Sequence, residues 1–186
     1  MDDVEITRNA FLAGRGDRVA AGNFVSATQR QLYRLLSYLS NADVAEDLVQ
    51  ETYLRAFAAL PRFAGRAPAR MWLLAIAKHV AADHLRGHRR RPKTSPAEDW
   101  VLAAEHSGAS VPDHGRLVVL RRLVAELDDE RREAFVLTQV LGLSYVEAAE
   151  VCACAVGTIR SRVSRAREDL AIALTGRGTN TTASHG

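Results

Sequence analysis

The chain reads as all-α, two small helical domains joined by a flexible acidic linker, the C-terminal domain containing a helix-turn-helix. Three observations support this. Apolar residues recur at helical spacing through most of the 186 positions. Only 6% of residues are aromatic, and Gly and Pro are modest in number. One stretch without periodicity, 94–115, interrupts the pattern and leaves a helical segment on either side. With 47% hydrophobic and 25% charged residues, the composition fits a globular chain and excludes the disordered class.

In chain order, Arg8 to Asn41 places Phe11, Val19, Phe24, Leu32, Leu35, Leu36 and Leu39 at helical spacing, with Gly14, Gly16 and Gly22 as punctuation. Ala42 to Leu60 forms one helix whose apolar stripe is Val49, Tyr53, Ala56, Phe57 and Leu60, and Pro61 ends it. Arg62 to Pro68, with Gly65 inside it, is a loop. Ala69 to Arg86 is helical and buries Trp72, Leu73, Ile76, Val80 and Leu85; Gly87 and Pro92 close it. Residues 1–93 therefore form one domain.

Residues 94–115 hold Pro96, Gly108, Pro112 and Gly115 and form the linker. Residues 116–175 are helical again, with stripes at Leu117, Leu120, Val124 and Leu127, then Ala134, Leu137 and Leu141. Gly142 breaks the pattern. Ser144-Tyr145-Val146-Glu147 is a capping box that opens a short helix ending near Cys152. A last helix starts around Ala155, and 176–186 is a disordered tail.

Charge is distributed in blocks. Asp43 to Glu51 carries four acids and no base. Arg62 to Lys93 carries nine bases against Asp83 alone, and Thr94 to Gly115 carries four acids and neither Lys nor Arg. Val156 to Arg167 carries four arginines and no acid. Two basic blocks separated by an acidic stretch point to two contacts with a polyanion. On the last helix, Ile159, Val163, Ala166 and Leu170 share one arc, while Arg160, Ser161, Ser164 and Arg165 lie opposite. A short helix, a tight turn and a second helix with an Arg/Ser outer face describe a helix-turn-helix that enters a major groove.

Four motifs then occur in order: Asp43 to Phe57; Trp72 to His79; Asp83-His84-Leu85-Arg86; and Gly142 to Ala149 running into Val156 to Arg162. Together they resemble the bacterial RNA polymerase sigma factors of the extracytoplasmic-function type (group IV of the sigma-70 family), closest to actinobacterial members. The resemblance implies an alternative sigma factor that binds core polymerase and recognises the −10 and −35 promoter elements while helping to open the promoter. Asp47, Gln50 and Glu51, on one helical face, would bind the clamp helices of the largest polymerase subunit. Phe63, Arg66, Arg70, Lys78, His79 and Arg86 would hold the single-stranded −10 region, the loop 63–68 capturing a flipped base. Thr158, Arg160, Ser161, Arg162, Ser164 and Arg165 would read duplex DNA at −35. The polymerase flap and a possible anti-sigma factor complete the implied partners. Members often carry Pro where this chain has Ala155 and a capping residue where it has Cys154, and sometimes use a basic −35 contact where it has Thr138.

The competing reading is a stand-alone helix-turn-helix regulator binding duplex DNA as a dimer. The acidic helix followed by a basic, melting-type segment argues against it. No nucleophile elbow, phosphate-binding glycine loop or metalloprotease motif occurs, so an enzyme is not expected. Cys152 and Cys154 are too close to staple distant segments, and Cys-x-Cys is not a usual zinc spacing, so neither metal nor cofactor is expected. The acidic N-terminus is unlike a secretory signal, and the longest strictly apolar run, Met71 to Ala77, is too short to span a bilayer. A cytoplasmic protein without membrane insertion is the expectation.

Overall fold

A computed structural model of the protein describes residues 1–89 and 111–178, with side chains for 1–87 and 118–175. Among these residues the chain is all-α, with eight α-helices and no strand, and it divides into two compact units.

The first unit holds α1 (Asp3–Ala13), α2 (Arg18–Leu39), α3 (Ala42–Ala59), a 3-10 turn (Leu60–Arg62) and α4 (Ala69–Arg89). Asp2, Asp17 and Asn41 cap the first three helices, each side chain accepting backbone N–H groups that have no partner within the helix. The chain turns at Gly14 to Asp17, with Gly16 at φ +95°. Gly22, by contrast, lies inside α2 and breaks nothing. Phe24, Leu32, Leu35, Leu36, Met71, Leu73, Leu74 and Val80 are the largest side chains sealed in this core. The buried hydroxyls are satisfied locally: Thr28 and Thr52 donate to the carbonyls of Phe24 and Leu48, each at 2.7 Å.

Several burial expectations change. Val19 is 74% exposed because it lies off the stripe that carries Phe24 and Leu32. Phe11 and Trp72 both meet the loop residue Phe63 instead of entering the core. Ile76 and Leu85 are half-buried. Helix α4 continues through Gly87 to Arg89, and Pro92 lies outside the described residues.

The second unit holds α5 (Val111–Glu126), α6 (Asp129–Phe135) with a π-type turn (Val136–Val140), the larger part of α7 (Tyr145–Cys152) and α8 (Val156–Gly178). Helix α5 starts inside the expected linker, with Pro112 in its first turn, where a missing N–H costs no helical bond. The expected tail likewise yields its first three residues to α8; residues 179–186, and 90–110 of the linker, lie outside the described residues. The buried stripe of α5 is Leu123 and Val124, continued by Leu127 after the helix, while Leu120 is 36% exposed. Ile159, Val163, Ala166 and Leu170 form the buried face of α8.

Candidate functional site

The acidic helix α3 exposes Asp47 and Gln50, as its i, i+3 spacing dictates. Glu51 is less free: it pairs with Arg55 at 2.7 Å, and Arg55 reaches Asp83 of α4 at 2.7 Å. This bridge, with Arg86 also on Asp83, holds the Asp83 carboxyl below its usual range. Gln50 instead lines a groove of about 690 Å3 between α2 and α3, with Ser26, Gln29, Arg30, Tyr33, Glu46 and Val49. Sequence reading missed Glu46 and Tyr33 as partners of Gln50. Glu46 lies in the acidic block of α3, but nothing in the sequence pairs that helix with Tyr33 of α2.

The loop after α3 builds a second concave surface. Phe63 lies between two rings, 5.1 Å from Phe11 and 4.9 Å from Trp72 between centroids. Phe63, Trp72, Arg62, Arg66 and Ala59, with the loop backbone at Ala64 to Ala67, line a cavity of about 450 Å3. Arg62 and Arg66 are exposed and form no ion pair among the described residues. An apolar ring wall with two unpaired cations at its mouth suits a planar, unstacked base attached to a phosphate chain. Arg62 was counted in the basic block but not singled out; its place on the cavity rim comes from the 3-10 turn.

The other basic residues of this unit divide. Lys78 is half-buried and His79 exposed on α4. Arg86 is exposed and paired to Asp83 of the preceding turn. Arg70 is committed elsewhere: its guanidinium donates to both carboxylate oxygens of Asp3, at 2.6 and 2.9 Å. That pairing holds the Asp3 carboxyl below the usual carboxylate range.

In the second unit the capping box forms as its residues require. Ser144 N–H donates to Glu147 at 2.8 Å, and Glu147 N–H donates to the Ser144 hydroxyl at 3.2 Å. The turn to α8 passes through Ala153 at φ +52°, a left-handed conformation rare outside Gly and Asn. Helix α8 starts at Val156 with Ala155 before it, so no side-chain acceptor stands at its N-cap.

The four arginines of the α8 block fall into two pairs. Arg162 is half-buried, ion-paired to Glu130 of α6, and 3.8 Å from the Cys154 sulfur. Arg167 donates to the side-chain amide oxygen of Gln139 at 2.8 Å. Arg160 and Arg165 are exposed, with no partner among the described residues. Ser161 and Ser164 lie between them on the same exposed face, while Thr158 is half-buried at the first turn. Arg162, expected on DNA, is turned to α6: it sits at the edge of the exposed face, three residues before Arg165, where folding brings Glu130 alongside. Thr138 is buried and its hydroxyl donates to the Ala134 carbonyl at 2.8 Å, so it offers no external contact. Cys152 is buried and Cys154 half-exposed. No helix among the described residues is long and apolar enough to cross a membrane.

Comparison with known proteins completes the description. Residues 24–91 match the family described as Sigma-70 region 2, and residues 117–170 match Sigma-70, region 4. The chain is 47% identical over 171 residues to a probable RNA polymerase sigma-C factor of Mycobacterium bovis, covering 91% of each chain. It is 35% identical over 169 residues to the ECF RNA polymerase sigma-E factor of Haemophilus influenzae, covering 83% of this chain and 87% of that one. Among solved structures it is similar to CnrH in complex with the cytosolic domain of CnrY, at TM-score 0.72 and 27% identity over 92% of this chain and 98% of that one. The sigma factor RpoE of Bartonella quintana, solved with the anti-sigma factor NepR, follows at TM-score 0.65 and 29% identity, covering 83% of this chain and 96% of that one.

Proposed function

The chain belongs to the sigma-70 family, as an alternative RNA polymerase sigma factor of the extracytoplasmic-function type that initiates transcription, and from that premise we propose how its residues divide the work. Core polymerase and promoter DNA are its partners, and a stand-alone regulator is not the reading these relatives support. The first unit binds the clamp helices of the largest polymerase subunit through Asp47 and Gln50, with Glu46 and Tyr33 extending that face along the α2/α3 groove. Glu51 contributes by positioning Arg55 and not as a free carboxylate. The same unit takes an unstacked base of the −10 strand into the cavity that Phe63 and Trp72 line together, with Arg62 and Arg66 on the neighbouring phosphates. Lys78, His79 and Arg86 track the strand along α4.

The second unit lays α8 in the major groove at −35, with Arg160, Ser161, Ser164 and Arg165 as its reading face and Thr158 at its leading turn. The factor acts by binding and stabilising melted DNA, with no covalent step of its own, in the cytoplasm where the polymerase works. An anti-sigma factor, the kind of partner with which the Bartonella protein was solved, would mask this chain by covering its polymerase face.

The observation that carries this reading most directly is the cavity with paired aromatic walls and unpaired arginines at its rim. Its test is transcription from purified core polymerase on promoters selected by the wild-type holoenzyme. Arg66→Ala should reduce open-complex formation with core binding unchanged, whereas Asp47→Ala with Gln50→Ala should reduce core binding itself. Tight duplex binding by a dimer that ignored core polymerase would refute the proposal.

A further inference from the structure

Helix α1 precedes the residues matched to sigma-70 region 2. One face of it carries Asp3, Thr7, Phe11 and Gly14, separated by four, four and three residues, so the four lie in one row along the helix. Each meets the segment 60–70, in reverse order. Gly14 lies against the Leu60–Pro61 peptide so closely that a Cβ there would stand 2.8 Å from the Leu60 carbonyl oxygen. The Phe11 ring covers Gly65, which at φ +66° has no room for a side chain: its Cβ would meet the ring at 2.6 Å. The same ring packs on Phe63. The Thr7 hydroxyl accepts the Ala69 N–H at 3.0 Å, supplying the cap at the start of α4 that Pro68, with no side-chain acceptor, cannot. Asp3 then takes both donors of Arg70.

We propose that this row on α1 is a splint that holds the 60–68 loop, and with it the Phe63/Trp72 cavity, in the shape that receives an extruded base. Resting on the function proposed above, the inference makes Asp3, Thr7, Phe11 and Gly14 positioning residues for promoter opening, with no DNA contact of their own. The physical need is clear. Extruding a base already sacrifices stacking and pairing, and a loop that had to order itself at the same moment would add its own entropy to that loss. The loop between the 3-10 turn and α4 has little regular structure to hold it, and Gly65 adds conformational freedom. Helix α1 removes that freedom before DNA arrives. On this view Arg70 serves the splint through Asp3.

The test uses the full chain reconstituted with core polymerase on a promoter duplex selected by the wild-type holoenzyme, reading permanganate reactivity of melted thymines alongside retention of core. Phe11→Ala and Thr7→Val should each lower the opened fraction by about tenfold, with core retention within about twofold of wild type. Asp3→Arg should lower opening, and adding Arg70→Asp should restore most of it, because the swapped pair rebuilds the tie while removing the cation from position 70. A cooperative thermal transition retained by each variant shows that the unit still folds. Parallel loss of core retention and opening would make α1 a general support of the fold and overturn the splint. Failure of the swap would assign the Arg70 charge to DNA and overturn it as well. A wild-type holoenzyme that opened no promoter would refute the underlying function, and is seen before any α1 variant is made.

Discussion

Arginine is the residue whose role differs most with place in this chain. Arg160 and Arg165 stand free on α8, whereas Arg162, two positions from one of them, is paired to Glu130. The prediction separates them. Arg162→Ala should lower stability by about 1 kcal/mol in thermal unfolding, since its ion pair is only partly shielded from water. Arg160→Ala and Arg165→Ala should leave stability within about 0.5 kcal/mol. Each should instead weaken −35 duplex binding, a fall of about 0.9 in its salt slope identifying a phosphate contact and an unchanged slope with relaxed sequence preference a base contact. Asp3 carries a second prediction. Its carboxyl is held below the ordinary value of about 3.9 by Arg70, so the pair adds stability above that pH and loses it as pH falls through the lowered folded value. The difference in urea midpoint between wild type and Asp3→Asn should therefore be largest near neutral pH. It should shrink below about pH 4, and a constant difference would show that the charge is not the cause.

The helices differ in how their ends are held. Helix α7 has both halves of its capping box, and Ser144→Ala should cost about 1 kcal/mol. Helix α8 follows Ala155, among the poorest caps, so Ala155→Ser should stabilise the second unit by about 0.5–1 kcal/mol in a thermal melt. Gly142, at φ +73° with open space where a side chain would be, should lose about 1 kcal/mol on substitution by Ala, from backbone conformation alone. The Ser144 box was legible in the sequence because both its bonds span three residues. The start of α5 was not, because Pro112 is as compatible with the first turn of a helix as with a linker. The cap on α4 was equally invisible: its acceptor, Thr7, is 62 residues away.

At the scale of a whole unit, stability rests on its buried apolar side chains. Leu35→Ala, at a fully buried site in the first unit, should cost about 2–5 kcal/mol and lower core-polymerase retention through the folded fraction of that unit, readable by denaturant titration with a core pull-down. The cations proposed to meet DNA lie outside these cores in both units. Binding at either proposed interface should therefore respond to salt and to surface charge more than to packing.

Local order along the chain was enough to establish the all-α class, the helical periods, the capping box, the exposed Asp47/Gln50 pair and the outward Arg/Ser face of α8, and the ordered motifs were enough for the family. All of these depend on spacings of four residues or fewer, or on residue type in sequence, and helical geometry converts such spacings into faces directly. The assignment of Arg70 to Asp3 and of Arg162 to Glu130, the ring cluster of Phe11, Phe63 and Trp72, and the groove joining Glu46 to Tyr33 came from the packing of one element against another. A cation has the same pattern in sequence whether it meets phosphate or a carboxylate of its own chain. Which of the two it meets depends on the acid that folding brings alongside.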